Sequence, residues 1–268
     1  MVLGVIGGGV MGEALIRCLV ERSVYAPQDI LVSDPQVERL SYLSDCYGVR
    51  AAKDNREAAD EAQVLLLAIK PQVFDTVAAN LMNERDSDAL PLVLSILAGT
   101  PLARLEAAFP HCPVIRAMPN TPATVGAGIT AIAAGTQATS AHTEQASQIF
   151  SAVGQVVSVP ESMLDAVTGL SGSGPGYIAV VIEALTDGGV AVGLPRAVAT
   201  QLAVQTVRGT AELLATGELH PAQLKDRVTS PGGTTIAGVA ALEQAGLRSA
   251  LIQAVRAAYQ RSQELGKS

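Results

Sequence analysis

The stretch that most constrains this chain is a glycine-rich turn close to its start. Residues 2–6 read VLGVI, a short apolar run, and Gly7-Gly8-Gly9-Val10-Met11-Gly12 follows at once. Beyond the turn, Met11, Leu15, Cys18 and Leu19 share one face at helical spacing over 11–22. A Gly-x-Gly-x-x-Gly pattern is a weak signal alone. Directly after a strand and at the opening of a helix, it is the fingerprint of a dinucleotide-binding crossover unit. Gly7 permits the tight turn, Gly9 lets the backbone approach a pyrophosphate, and Gly12 allows close helix–strand packing. The helix start then presents unpaired N–H groups and the positive end of its dipole to phosphates.

The following residues extend that unit. Residues 30–33 (ILVS), 64–69 (VLLLAI), 92–96 (LVLSI) and 113–116 (PVIR) read as further strands, with helices over about 35–46 and 72–81. Short apolar strands alternating with helices imply crossover connections and a parallel sheet. Residues 128–134 and 155–159 add two strands around a helix at about 140–152. After Pro160 strand-like runs stop, and 162–170, 175–192, 195–216, 220–227, 233–245 and 247–265 all read as helices. The expected architecture is α/β. A Rossmann-type doubly wound sheet over 1–160 is expected to bind NAD(P), followed by an all-α helical part over 161–268.

Composition narrows the function. The net charge is −7, with ten basic and sixteen acidic side chains in 1–160 and eight and nine in 161–268. Such a surface argues against a nucleic-acid partner, which needs basic groups to neutralise phosphates. No apolar run reaches the ~18–20 residues of a membrane-spanning helix; the best candidate, 177–185, is short and contains Glu183. The first strand begins at Val2, leaving no room for a charged and apolar presequence. Cys18, Cys46 and Cys112 are an odd, scattered set, which suits reduced thiols better than disulfides or a zinc site. A cytoplasmic protein is expected. The helical part is rich in Ala, Gly and Val and poor in aromatics, so alone it would bury a thin core. It is expected to pack against a second copy of itself.

Two strand ends bear on the cofactor. Asp34 lies 22 residues after Gly12, where an acidic residue usually binds the ribose 2′-hydroxyl of NAD. Ser33 precedes it and Arg39 lies about one helical turn later; together these could hold the 2′-phosphate of NADP. The two signals conflict, and both cofactors stay open. Lys70, in Ala68-Ile69-Lys70-Pro71, ends the third strand on the side where ligands bind in such sheets.

A second constellation is Thr229-Ser230-Pro231-Gly232-Gly233-Thr234-Thr235, a loop feeding the apolar helical run IAGVAALE. Ser230 and Thr234 are candidate caps. N–H groups at Gly233, Thr234 and Thr235, flanked by hydroxyls, make an anion site suited to a carboxylate.

Taken with IGGGVMGEAL (6–15), AIKP (68–71), MPNTP (118–122), SGSGPGY (171–177), DGGVAVGLPR (187–196) and LKDRVTSPGGTTIAGVAALE (224–243), the chain resembles the pyrroline-5-carboxylate reductases from end to end. Two departures stand out: Val10 replaces the Asn usual in the family's turn, and Gly176 replaces the usual Ala before the tyrosine. The first removes a side-chain amide near the phosphates.

The resemblance implies roles. Gly7, Gly9, Val10, Met11 and Gly12 would line the pyrophosphate; Ser33, Asp34 and Asn55 would meet the adenosine end. Ala68, Lys70, Pro71, Ala98, Met118 and Asn120 would surround the nicotinamide half. Ser230, Gly233, Thr234 and Thr235 would hold the substrate carboxylate, Thr235 would reach the ring nitrogen, and Glu218 is a further substrate-side candidate. The implied reaction is NAD(P)H-dependent reduction of 1-pyrroline-5-carboxylate to L-proline, with NADP(H) as cofactor and NAD(H) as the alternative. Homodimers through the helical part, and assembly to decamers, are implied too.

A protonated cyclic imine already carries its proton and its electrophilic carbon, so positioning matters more than a strong acid. His111, His142 and His220 fall in no motif with a nucleophile or metal, and none is taken as a general acid. A hydroxyacid dehydrogenase would share this architecture but generally carries a catalytic lysine on a helix of the second part. Here 161–268 holds only Lys225, inside the reductase-like stretch, and Lys267, next to last. A non-catalytic dinucleotide sensor would have no need of the second anion site.

Overall fold

Apolar runs bounded by glycine or polar residues form strands with every residue buried: β1 (Leu3–Ile6), β2 (Ile30–Ser33), β4 (Val64–Leu67) and β5 (Leu92–Ser95), with β3 (Arg50–Ala51) between the second and the fourth. The structure, a computed structural model, describes residues 1–82 and 90–266. Connecting helices are α1 (Val10–Glu21), α2 (Val37–Tyr47), α3 (Asn55–Glu61), α4 (Phe74–Met82) and α5 (Leu102–Ala108). β6 (Val114–Met118), β7 (Gly128–Ala134), α6 (Ser140–Ser151) and β8 (Gly154–Ser158) complete the sheet region.

Alternate side chains of one strand serve opposite faces. Leu3 and Val5 pack with Leu15, Leu19, Leu43 and Phe150 from α1, α2 and α6. Ile6, Leu65 and Leu67 pack with Ala58, Phe74 and Leu105 from α3, α4 and α5. Helices therefore cover both faces of the sheet, as expected of a doubly wound fold. Each fully buried Leu or Phe contributes roughly 1.5–3 kcal/mol of transfer free energy.

The strand order is β3-β2-β1-β4-β5-β6-β7-β8. Neighbours pair in parallel except β6 and β7, which are antiparallel with Ala117 opposite Ile132. The exception follows from chain length. Residues 119–127 hold only a 3-10 turn, too short for the dozen or more residues that a parallel crossover needs. The order reverses at β1, between β2 and β4, so the crevice beyond the carboxyl ends of β1 and β4 is the sheet's ligand position.

The helical part holds α7 (Leu164–Val167), α8 (Gly174–Ala191), α9 (Arg196–Ala215), α10 (Pro221–Arg227), α11 (Thr234–Gln244) and α12 (Leu247–Leu265). The chain forms two compact units: Met1–Ser173 with the stretch from Ala258 onward, and Gly174–Ala257. The sheet unit thus extends past residue 160. Leu164 is buried in the core of that unit, and Glu161 accepts hydrogen bonds from Arg116 and the Leu102 amide. Ser262 on α12 donates to Asp165 at 2.7 Å.

In the second unit, small residues bring α8 and α9 together: a Cβ on Gly189 would lie 3.0 Å from that of Ala199. The buried side chains between 174 and 257 are only Thr186, Ala199 and Ala203. Meanwhile Ile178, Val180, Leu185, Leu202, Leu213 and Ile252 stand exposed. This is the thin core that the composition implies. No helix among the described residues is long and apolar enough to cross a membrane.

Candidate active site

The glycine turn occupies the crevice between β1 and β4. Gly7 has φ +104°, and a Cβ there would lie 2.6 Å from the Ala68 carbonyl oxygen. The position therefore excludes side chains on two grounds, conformation and space. A Cβ on Gly12 would lie 2.2 Å from the Gly7 carbonyl oxygen, so helix and turn touch backbone to backbone. At Gly9 the space beyond the missing side chain is open for 4 Å. Gly9 is also the N-cap of α1 and supplies no side-chain cap, which leaves the helix's first N–H groups to a ligand. Val10 is exposed and Met11 half-buried beside them. A cradle closed at Gly7 and Gly12 but open at Gly9 fits a pyrophosphate.

Neighbouring strand ends supply the remaining first-unit candidates. The Gly7 amide donates to the Ser33 carbonyl at 2.8 Å. Ser33 is buried, and its hydroxyl donates to Asn55 Oδ1 at 2.7 Å. Asp34 accepts from the Gly8 amide through Oδ2 at 2.8 Å and from the Gln36 amide through Oδ1 at 3.0 Å. Ala68 continues β4 and is half-buried, Lys70 is exposed, and Pro71 opens a 3-10 turn. Ala98 lies exposed after β5, next to Gly99, whose φ is +72°. Met118 ends β6, its Cε 2.8 Å from where a Cβ on Gly172 would stand. The Asn120 amide is engaged within the protein: it donates to the Ser171 carbonyl at 3.1 Å and accepts from the Ile129 amide at 3.0 Å. Its side chain therefore braces the β6–β7 connection.

One feature beside the turn was not singled out from the sequence. Glu13, in the first turn of α1, pairs with Arg39 of α2 and accepts from Tyr47 at 2.8 Å and Tyr42 at 3.1 Å. Burial alone would raise its pKa, but the hydrogen bonds from Arg39, Tyr47 and Tyr42 outweigh burial and hold the carboxyl below its usual range. The sequence holds both partners, an acid in the first turn of α1 and a cation near the start of α2, but no spacing rule pairs them.

The second constellation lies wholly in the other unit. Gly232 has φ +68°, and Gly233, not Ser230 or Thr234, is the N-cap of α11. This corrects the expected side-chain caps. Ser230 Oγ sits only 2.3 Å from where a Cβ on Gly233 would stand, and the Gly233 amide turns back to the Ser230 carbonyl at 3.0 Å. The α11 N-terminus has no side-chain cap, as at α1. Ser230 and Thr234 are exposed and Thr235 is half-buried. Glu218 is exposed just before α10. The same unit has a cleft of about 420 Å³ lined by His220, Lys225, Leu242, Arg248 and Leu251, among others, and residues 230–235 do not line it. His220 and His142 serve as helix caps, accepting from the Ala222 and Thr139 amides. Among the described residues no group of three acidic, His or Cys side chains could hold a metal ion.

Comparison with known proteins covers the whole chain. The profile of the family described as "Pyrroline-5-carboxylate reductase dimerisation" matches residues 161–265. That of "NADP oxidoreductase coenzyme F420-dependent" matches residues 2–99. A pyrroline-5-carboxylate reductase of Synechocystis sp. is 60% identical over 265 residues, covering 99% of this chain and 98% of its own. Among solved structures, a pyrroline-5-carboxylate reductase from Coxiella burnetii superposes with a TM-score of 0.92 at 34% identity, covering 99% and 98% of the two chains. The Plasmodium falciparum pyrroline carboxylate reductase, solved with NADP bound, gives 0.88 at 28% identity, again covering 99% and 98%.

Proposed function

The chain belongs to the pyrroline-5-carboxylate reductase family, and from that premise we infer that it reduces 1-pyrroline-5-carboxylate to L-proline, the last step of proline biosynthesis. The observation that carries this reading is 60% identity sustained over 99% of the chain with a reductase of that name. It is an oxidoreductase of the CH–NH class. Its cofactor is NADP(H), with NAD(H) as the alternative.

In the proposed arrangement Gly7, Gly9, Val10, Met11 and Gly12 hold the pyrophosphate on the α1 N-terminus. Ser33, Asp34 and Asn55 face the adenosine ribose. Ala68, Lys70, Pro71, Ala98 and Met118 surround the nicotinamide half, and Asn120 contributes through the backbone that its amide braces. When bound, the reduced nicotinamide supplies a hydride to the imine carbon.

On the substrate side, the N–H groups of Thr234 and Thr235, with the Ser230 hydroxyl, take the carboxylate; the Gly233 amide, expected to join them, is held by the Ser230 carbonyl, so Gly233 serves by shaping the turn that presents them. Their supply rests on the absence of a side-chain cap at α11. The Thr235 hydroxyl hydrogen-bonds the ring nitrogen, and Glu218 approaches from the loop before α10. The substrate enters already protonated, so these groups orient it and need transfer no proton to start the reaction.

We take residues 1–160 as the cofactor-binding part and 161–268 as the part for dimerisation and substrate binding. The exposed apolar faces of α8 and α9 support a homodimer through the helical part; assembly of such dimers up to a decamer is part of the proposal. The protein is read as cytoplasmic.

The test follows NADPH and NADH absorbance with pyrroline-5-carboxylate and with a panel of 2- and 3-hydroxyacids. Oxidation with the cyclic imine alone is expected. Silence with the imine while cofactor still binds would overturn the activity, and turnover of a hydroxyacid would replace it.

A further inference from the structure

The Gly8 peptide sits between two side chains of opposite charge. Its amide donates to Asp34 at 2.8 Å, and its carbonyl accepts from Arg39 Nε. These are the two residues whose chemistry argues for different cofactors. A carboxylate at the end of β2 suits the 2′-hydroxyl of NADH, and a nearby guanidinium suits the 2′-phosphate of NADPH.

Arg39 is not free to choose. One terminal nitrogen is paired with Glu13 Oε2, and its Cζ stands 5.0 Å above the ring of Tyr42. The two charged side chains keep only 24% and 23% of their exposure. Glu13 is in turn fixed by the hydroxyls of Tyr47 and Tyr42, so all four groups hold one another. With Glu13 and Asp34 ionised against one Arg39, the local sum is −1. A 2′-phosphate would bring roughly two more negative charges into it.

We propose that Glu13 is a positioning residue that sets cofactor preference: by pairing with Arg39 it withholds the guanidinium from the 2′-phosphate and keeps NADH competitive with NADPH. This rests on the dinucleotide reading of the turn at residues 7–12. Removing the carboxylate charge brings the local sum to zero and releases the guanidinium, and both changes favour a phosphate over a hydroxyl. They act only where the cofactors differ, at the 2′ position.

Calorimetric titration of the full chain with NADPH, NADH, 2′,5′-ADP and 5′-AMP tests this without turnover. In Glu13→Gln, the NADPH dissociation constant is expected to fall about tenfold relative to that of NADH, with 2′,5′-ADP shifting in parallel over 5′-AMP. Glu13→Asp, which keeps the charge, should stay near the parent ratio. Arg39→Gln alone should weaken NADPH less than threefold, because the paired guanidinium contributes little to the phosphate. A tenfold loss of NADPH alone in Arg39→Gln would overturn the proposal even were Glu13→Gln unable to fold. An unchanged ratio in a folded Glu13→Gln, or equal loss of both cofactors, would overturn it while leaving the cofactor site itself intact. Failure of the parent chain to bind either dinucleotide would instead remove the reading on which the proposal stands.

Discussion

The Gly8 amide donates to Asp34 Oδ2 at 2.8 Å, so the side chain that ends β2 also fixes the glycine turn after β1. Asp34 therefore sets turn geometry in addition to the ribose contact proposed for it. Asp34→Ala removes both: NADH affinity is expected to fall by about tenfold, the value of one charge-assisted hydrogen bond, and NADPH affinity by less, because the lost carboxylate no longer opposes the 2′-phosphate. Asp34→Asn retains an acceptor for Gly8, so it should weaken NADH less than Ala does and spare NADPH. Calorimetry reads both constants. An Ala variant that holds NADH as tightly as the parent would assign neither task to this carboxylate.

Two glycines of the turn make opposite demands on a methyl group. At Gly9 the space is open and φ is −65°, so Gly9→Ala should leave the melting temperature of the cofactor-free protein within about 1 °C. The added carbon would stand in the space proposed for the pyrophosphate, and cofactor affinity should drop at least tenfold. At Gly12 the carbon would meet backbone 2.2 Å away. Gly12→Ala is therefore expected to cost about 1–3 kcal/mol of stability as well as affinity. Thermal melts with and without NADPH separate the two; equal destabilisation by both variants would contradict the distinction.

The sheet was legible wherever strands were long and buried. β1, β2, β4 and β5 are continuous apolar runs ended by glycine, proline or a charge. β3 was not, because its two residues, Arg50 and Ala51, are an exposed edge with no pattern to read. α3 carries a visible cap, Asp54 accepting from the Glu57 amide, but only Ala58 and Ala59 are buried, so it has no apolar stripe. α5 is equally short. At the site, residue types and spacing located both helix N-termini. Which side chains cap them depends on loop geometry, and there Gly233 displaced Ser230. The Glu13–Arg39 pair joins positions 26 apart in sequence, and only the packing of α1 against α2 brings them together.

Thr235 is the second residue of α11, half-buried, on a helix end with no side-chain cap. If its hydroxyl meets the ring nitrogen, Thr235→Ala loses one hydrogen bond to a charged group. That is worth about 1.5–3 kcal/mol, or roughly tenfold to a hundredfold in kcat/KM. Thr235→Ser keeps the hydroxyl and should recover most of it. NADPH affinity should not move in either variant. Unchanged turnover in Thr235→Ala would remove the residue from the mechanism.

Tyr25 makes a pH-dependent prediction far from the chemistry. It is 5% exposed, and among the described residues its hydroxyl has no hydrogen-bond partner. Burial, with the Asp29 carboxylate as a lesser cause, pushes its pKa up from 10.0 to about 12. Between those values only the unfolded chain releases the proton. This stabilising contribution is thus complete below pH 10 and is lost as pH rises through 12. Tyr47, raised by burial and by its bond to Glu13, acts in the same direction. Tyr25→Phe removes the orphan hydroxyl and its titration together. At pH 7 it should stabilise the protein by about 1 kcal/mol. Its advantage over the parent should widen steadily between pH 10 and 12. Urea unfolding at pH 7, 10 and 11.5 measures both effects, and a less stable phenylalanine variant at pH 7 would mean that the hydroxyl is satisfied.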